Sequence, residues 1–173
     1  MERRTGVAQR EDATATEPVE TFEDLFAREH QRLFRALYLI VGNSQEAEEL
    51  MQDAFLKVLE RWDHVQKPAG YVYRTALNAT RSRFRRLTLA AKRSLTPAQP
   101  EDPFAAADLR DEIVRALRTL PERQRAALVL LDLLDYRSED AAEMLGVTAA
   151  TARSLASHAR ASLKLSLEER HVE

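Results

Sequence analysis

Cysteine is absent from the 173-residue chain, which excludes a disulfide scaffold, a zinc ribbon and a thiol nucleophile. Glycine is scarce, with four residues in all, and aromatics make up only 6%. Sheets draw on β-branched and aromatic residues and their turns consume glycine, so this profile argues against a β-rich fold. The longest apolar runs, such as Ala126 to Leu131, fall far short of the ~20 residues of a membrane span. The opening residues Met1, Glu2, Arg3 and Arg4 have no apolar signal-peptide core. A cytoplasmic protein without membrane insertion is therefore the expectation. What the chain does have is Ala, Leu, Arg and Glu in quantity, all strong helix formers. With 45% apolar and 31% charged residues, they predict an all-α fold. The formal net charge of −2 disfavours a polyanionic partner only if the charge is evenly spread.

Residues 1–20 show no apolar periodicity and read as a disordered extension. From Thr21 the pattern changes: Phe22, Leu25, Phe26, Leu33, Leu37 and Ile40 recur at three- and four-residue steps, marking the buried face of a helix. Thr21 with Asp24 resembles a capping box, and Gly42 with Asn43 ends this helix and caps the next. The second helix, 44–62, would bury Ala47, Leu50, Met51, Ala54, Phe55, Val58 and Leu59. Its opposite face is polar except for Leu56. Pro68 suits the first turn of a third helix, which continues to Arg86 or beyond. Between residues 87 and 108 the periodicity fails and Pro97, Pro100 and Pro103 cluster, so this stretch reads as a linker too long for the interior of one domain. Helices resume from an N-cap at Asp108, then from Pro121 to about Asp135, with two short ones after Ser138 and Thr148. The predicted architecture is two small helical domains joined by a flexible linker.

The charge is not evenly spread. No acidic residue lies between Asp63 and Glu101, while that interval holds Lys67, Arg74, Arg81, Arg83, Arg85, Arg86, Lys92 and Arg93, leaving −10 on the rest of the chain. A basic helix face is often mere solvation, but such faces normally interleave glutamate. Tyr71 and Tyr73 near the start of this helix add stacking surface to phosphate contacts, which suits single-stranded or melting DNA. A second acid-free interval, 144–167, contains Arg153, His158, Arg160 and Lys164. It overlaps a helix-turn-helix pattern: Ser138 as cap, Ala141, Ala142 and Leu145 inward, Gly146 at the turn, and Thr148 capping the second helix. In that motif the second helix enters the major groove.

Three stretches then stand in a telling order: Glu-Ala-Glu-Glu-Leu-Met-Gln-Asp-Ala-Phe at 46–55, Tyr-Val-Tyr-Arg-Thr-Ala-Leu-Asn at 71–78, and Leu-Pro-Glu-Arg-Gln-Arg at 120–125 ahead of the helix-turn-helix. Together they resemble the small bacterial RNA polymerase sigma factors of the extracytoplasmic-function (ECF) group of the sigma-70 family, over Phe22 to Arg86 and Leu109 to Leu165. The resemblance implies that 21–86 is a region 2-like domain for core polymerase and the minus-ten element, and 109–167 a region 4-like domain for the minus-thirty-five element. It implies minus-ten contacts from Arg74, Asn78, Arg81, Arg85 and Arg86, with the loop from His64 to Ala69 edging a pocket for a flipped-out base and Tyr71 or Trp62 available for stacking. Minus-thirty-five contacts fall to Thr151, Arg153, Ser154, Ser157, His158 and Arg160. The stripe of Glu49, Gln52, Asp53, Leu56, Lys57 and Glu60 becomes the surface for the beta-prime clamp of core RNA polymerase, and the second domain would meet the beta flap. Promoter DNA and an anti-sigma factor are the other partners implied, with no cofactor, no metal and no enzymatic activity. Leu77 and Leu155 stand where many relatives carry a basic residue.

The linker bears on how such a protein works. A relaxed chain of 22 residues spans about 26 Å, whereas two DNA sites more than one helical turn apart lie beyond about 34 Å. A relaxed linker would hold two such sites poorly, so the expectation is a scaffold that extends the linker and makes the second contact effectively intramolecular. Two other readings compete. A stand-alone dimeric helix-turn-helix transcriptional regulator explains the second half but not the acid-free third helix. A carboxylate-bridged metal enzyme wants Glu-x-x-His pairs on facing helices, and only one such pair, Glu168 with His171, occurs in this chain.

Overall fold

A computed structural model describes residues 20–93 and 109–170, and every described element is helical. The extension at 1–19, the stretch 94–108 with its prolines, and the Asp108 cap lie outside the described residues.

Helix α1 (Phe22–Val41) begins at a reciprocal capping box: the Asp24 amide donates to Thr21 Oγ1 at 3.2 Å, and the Thr21 amide to Asp24 Oδ2 at 3.1 Å. It ends at Gly42, whose φ of +75° is the left-handed conformation that glycine adopts without strain. Asn43 caps α2 (Ser44–Leu59) by accepting from the Glu46 amide at 2.8 Å. A short 3₁₀ turn (Trp62–His64) leads to α3 (Pro68–Arg93), which runs seven residues past Arg86. Leu25, Leu33, Leu37 and Ile40 of α1 pack with Leu50, Ala54, Phe55 and Val58 of α2 and Val72 and Ala76 of α3. Two expected core positions sit at the edge instead. Phe26 is 41% exposed, stacked on His30 and set edge-on to Phe55, and Leu59 at the last residue of α2 is 49% exposed. Trp62 packs edge-on against Phe22 at 5.7 Å.

The second group comprises α4 (Leu109–Arg118), α5 (Glu122–Leu128), α6 (Ser138–Leu145) and α7 (Ala149–Arg170). The single helix expected from Pro121 to Asp135 is broken. Val129–Leu133 forms a π turn, closed by the Leu134 amide on the Val129 carbonyl at 3.0 Å, and Asp135 follows at a φ of +54°. Helix α6 starts differently from the expectation too: Arg137 occupies the N-cap without a side-chain bond, and Ser138 is the first helical residue. Gly146 makes the turn at a φ of +65°, and Thr148 caps α7 by accepting from the Thr151 amide at 3.2 Å. Instead of being short, α7 extends over 22 residues, because neither glycine nor proline interrupts Ala149 to Arg170.

The two groups are packed together, and their buried residues form one cluster. Polar ties cross between them. Arg125, only 6% exposed, donates from Nη1 to the Ile40 carbonyl at the end of α1 and from Nη2 to the Leu120 carbonyl at 3.0 Å. Tyr73, expected to offer a stacking surface, is instead fully buried; its hydroxyl donates to Glu29 Oε2 at 3.2 Å and accepts from Tyr136 at 2.7 Å. Arg32 lies over the Tyr136 ring at 4.6 Å. Burial pushes the Tyr73 hydroxyl well above the ordinary tyrosine range, reinforced by its bond with Tyr136. A phenol so enclosed cannot stack on a base.

Candidate nucleic-acid and polymerase surfaces

Helix α3 carries most of the basic interval. Its residues 74, 78, 81 and 85 recur at three- and four-residue steps and so share one face. Arg74, Asn78, Arg85 and Arg86 are exposed and Arg81 is half-buried. Asn78 accepts from Arg81 Nη1 at 3.4 Å, which holds its amide along the helix. Arg83 points elsewhere, to Glu46 on α2 at 2.8 Å.

At the N-terminal end of this face is an open cavity of about 380 Å³. Arg61, His64, Val65, Gln66 and Lys67 line it from the turn and loop, and Gly70, Tyr71 and Arg74 from α3. The remaining wall is Glu143 of α6, whose Oε2 accepts from Lys67 Nζ at 2.9 Å. That bond raises the Lys67 ammonium above the usual lysine value. Four cationic or protonatable side chains around a space with a tyrosine wall are suited to an anion attached to a flat ring, the chemistry of a nucleotide. Sequence reasoning located the loop but missed Arg61 and Glu143. Glu143 is unreadable locally, because the contact joins residues 76 apart.

On α7, Ala152, Ala156 and Ala159 are fully buried, and Thr151, Arg153, Ser154, Ser157, His158 and Arg160 are all exposed on the outer surface. Two of them have partners within the second group. Arg153 donates to Ser138 Oγ at 2.9 Å, and Arg160 grips Asp132 through both carboxylate oxygens at 2.9 and 2.8 Å. Both bonds come from Nη1 alone, so this is a bifurcated contact and not a two-nitrogen fork. Leu77 is buried and Leu155 half-buried, and both line a narrow cleft between α3 and the second group.

The outer face of α2 brings Glu49, Gln52, Asp53, Leu56, Lys57 and Glu60 together, all exposed. Leu56 is 57% exposed and has Leu59 one turn ahead. Two leucines among charges on a rigid helix make an apolar spot inside a polar rim, the make-up of a protein contact. Among the described residues no group of three or more His, Asp or Glu could hold a metal ion, and no helix is long and apolar enough to cross a membrane.

Comparison with known proteins bears on all three surfaces. The family model for sigma-70 region 2 matches residues 25–89, and that for sigma-70 region 4 matches residues 110–163. The chain is 34% identical over 148 residues to the ECF RNA polymerase sigma factor SigM of Mycobacterium tuberculosis, covering 82% of this chain and 74% of that one. It is 22% identical over 169 residues to the ECF sigma factor SigW of Bacillus subtilis, covering 87% and 90%. Its fold is similar to that of the sigma factor RpoE, solved with the anti-sigma factor NepR from Bartonella quintana, with a TM-score of 0.68, 23% identity, and coverage of 85% of this chain and 96% of that one. A stand-alone helix-turn-helix regulator accounts for only the second of the two matched regions. The chain belongs to the ECF RNA polymerase sigma factors of the sigma-70 family, which bind core RNA polymerase and direct promoter-specific transcription initiation.

Proposed function

We propose that the sigma activity is divided among the three surfaces as follows. The exposed face of α2, from Glu49 to Glu60 with Leu56 at its centre, docks on the beta-prime clamp, while the second domain meets the beta flap. The α3 face of Arg74, Asn78, Arg81, Arg85 and Arg86 holds the minus-ten strand, and the cavity between the 64–67 loop and Tyr71 receives a base flipped from it. Extruding a base costs a few kcal/mol. Capture in the cavity, with phosphates neutralised along α3, offsets that cost without nucleotide hydrolysis. Helix α7 reads the minus-thirty-five element through Thr151, Arg153, Ser154, Ser157, His158 and Arg160, with Arg153 near the start of the helix as a base or phosphate contact. The protein works in the cytoplasm as a non-catalytic factor, with regions 21–86 and 109–167 as its two working domains. An anti-sigma factor that covers the polymerase-binding face is its regulator, a proposal motivated by the anti-sigma complex of the fold neighbour.

The observation that carries this division is the acid-free α3 face leading into the cavity. Asn78→Ala is the test: minus-ten recognition weakens, read as lost discrimination between promoter and mutated promoter in holoenzyme, while affinity for core polymerase is unchanged. Equal discrimination by Asn78→Ala and the parent protein would refute the assignment of this face.

A further inference from the structure

Most of α7 lies in an interval without acidic residues, 144–167, yet its two outward arginines are not equally free. Arg153 donates to a neutral partner, the Ser138 hydroxyl at 2.9 Å, with Glu139 near enough to be felt electrostatically. Arg160, two turns further along the same helix face, donates from Nη1 to both oxygens of Asp132 at 2.9 and 2.8 Å. That carboxylate comes from outside the helix, 28 residues earlier in the chain, on the π turn Val129–Leu133. Among the described residues, Nη2 and Nε of Arg160 have no hydrogen-bond partner.

The turn that presents Asp132 is fixed on both sides. Val129 and Leu130 are fully buried, the Leu134 amide closes on the Val129 carbonyl at 3.0 Å, and the Tyr136 amide closes on the Leu130 carbonyl at 3.0 Å. Single π turns are rare and concentrate at functional sites. As a source of stability, an ion pair this exposed is worth little. Its effect is on charge. A guanidinium bonded to a carboxylate offers a DNA phosphate little net attraction, whereas its remaining N–H groups still donate to a neutral acceptor on a base edge.

We infer that Asp132 is a specificity-determining residue, which holds Arg160 off the phosphate backbone and keeps it for a base edge of the minus-thirty-five element. The inference rests on the assignment of the outer α7 face to that element. The two arginines then divide the work: Arg153, bonded to a neutral hydroxyl, neutralises a phosphate, and Arg160 reads sequence. A cation spent on phosphate strengthens right and wrong sites alike, so diverting one to a base raises discrimination.

The outer face of α7 is open in the free chain, so one measurement needs the full-length protein alone: its affinity for a fluorescein-labelled duplex of random sequence as a function of salt. Arg153→Ala is expected to make the slope of log affinity against log salt shallower by about 0.9, the value of one phosphate. Arg160→Ala is expected to leave the slope unchanged, and Asp132→Asn to steepen it by about 0.9. Asp132→Glu, which restores the charge, should return to the parent slope, and the steepening should vanish when Asp132→Asn is combined with Arg160→Ala. In the other measurement, holoenzyme selects duplexes from a library randomised over the minus-thirty-five element. Asp132→Asn and Arg160→Ala should each lose preference at the same base pair, by at least about fivefold. Arg160→Ala alters only an exposed side chain, so it decides the question even if Asp132→Asn disturbs the turn. If Arg160→Ala flattens the salt slope as much as Arg153→Ala does, or Asp132→Asn leaves slope and selection unchanged, the role of Asp132 is overturned while the assignment of α7 stands. If neither arginine substitution changes slope or selection, both fall.

Discussion

Replacing Arg125 by methionine removes a buried cation that ties the second domain to the end of α1. Its guanidinium reaches the carbonyls of Ile40 and Leu120 and, at 3.4 Å, that of Arg118. Burial holds its pKa below the ordinary arginine value, and the neighbouring Arg118 lowers it further, so enclosing the charge has a cost that methionine would recover. Against this, methionine leaves the Ile40 and Leu120 carbonyls without a donor. Each buried acceptor left unpaired costs about 1–3 kcal/mol, while the apolar stem of the side chain is replaced at similar volume. The expected loss is roughly 2–4 kcal/mol. For a chain of this size, with roughly 2–4 °C per kcal/mol, Tm should fall by about 5–15 °C. Thermal and urea unfolding followed by circular dichroism would measure it, with Arg125→Lys intermediate, since lysine restores the charge but not the planar fork. A stability of Arg125→Met within about 0.5 kcal/mol of the parent, below the smallest unpaired-acceptor cost, would refute the reasoning.

Tyr73 and Tyr136 predict alkaline sensitivity: both hydroxyls are raised, chiefly by burial, so the unfolded chain ionises near pH 10 while the folded one keeps its protons. Stability is then full below that value and falls as pH rises through it; Tyr73→Phe should shrink this alkaline loss in urea titrations at pH 8 and 10.5, and an unchanged difference would contradict it. Gly42→Ala should cost more than Gly146→Ala in the same unfolding assay. Both need a positive φ, but a Cβ at 42 also meets Val114 Cγ1 at 3.1 Å and Arg118 Cδ at 3.2 Å, whereas at 146 the nearest atom is 3.7 Å away; about 2 against about 1 kcal/mol is expected from left-handed strain with and without crowding. Arg85→Ala and Arg86→Ala, both exposed on α3, should each reduce the slope of log affinity against log salt for single-stranded DNA by about 0.7 in holoenzyme, one phosphate contact apiece. An unchanged slope would remove them from the DNA face.

The features legible in the sequence were those closed within a few residues. The Thr21–Asp24 box, the Asn43 and Thr148 caps and the turns at Gly42 and Gly146 each depend on bonds to near neighbours. The alternation on α7 is equally local, since three buried alanines fix which residues face outward. Ser138 misleads because its hydroxyl donates to the Glu139 carboxylate and accepts from Arg153 instead of capping α6. The packing of one domain on the other was not legible. It depends on Glu29, Tyr73, Arg125 and Tyr136, polar or aromatic residues that join partners 44 to 107 positions apart. Apolar periodicity cannot mark a buried arginine, and a tyrosine at the start of a basic helix is as compatible with stacking as with a buried hydrogen bond. The break after Leu128 was hidden for a related reason. The apolar run from Ala126 to Leu131 fits a continuous helix, and the π turn shows only in the backbone bond from Leu134 to Val129.

Run-off transcription with purified core polymerase on a genomic promoter library tests the central claim most directly. Adding this protein should produce discrete transcripts from a defined subset of promoters, absent with core enzyme alone and lost when the minus-ten or minus-thirty-five element is mutated. No promoter-specific transcript, under conditions where another sigma factor supports initiation, would contradict the account.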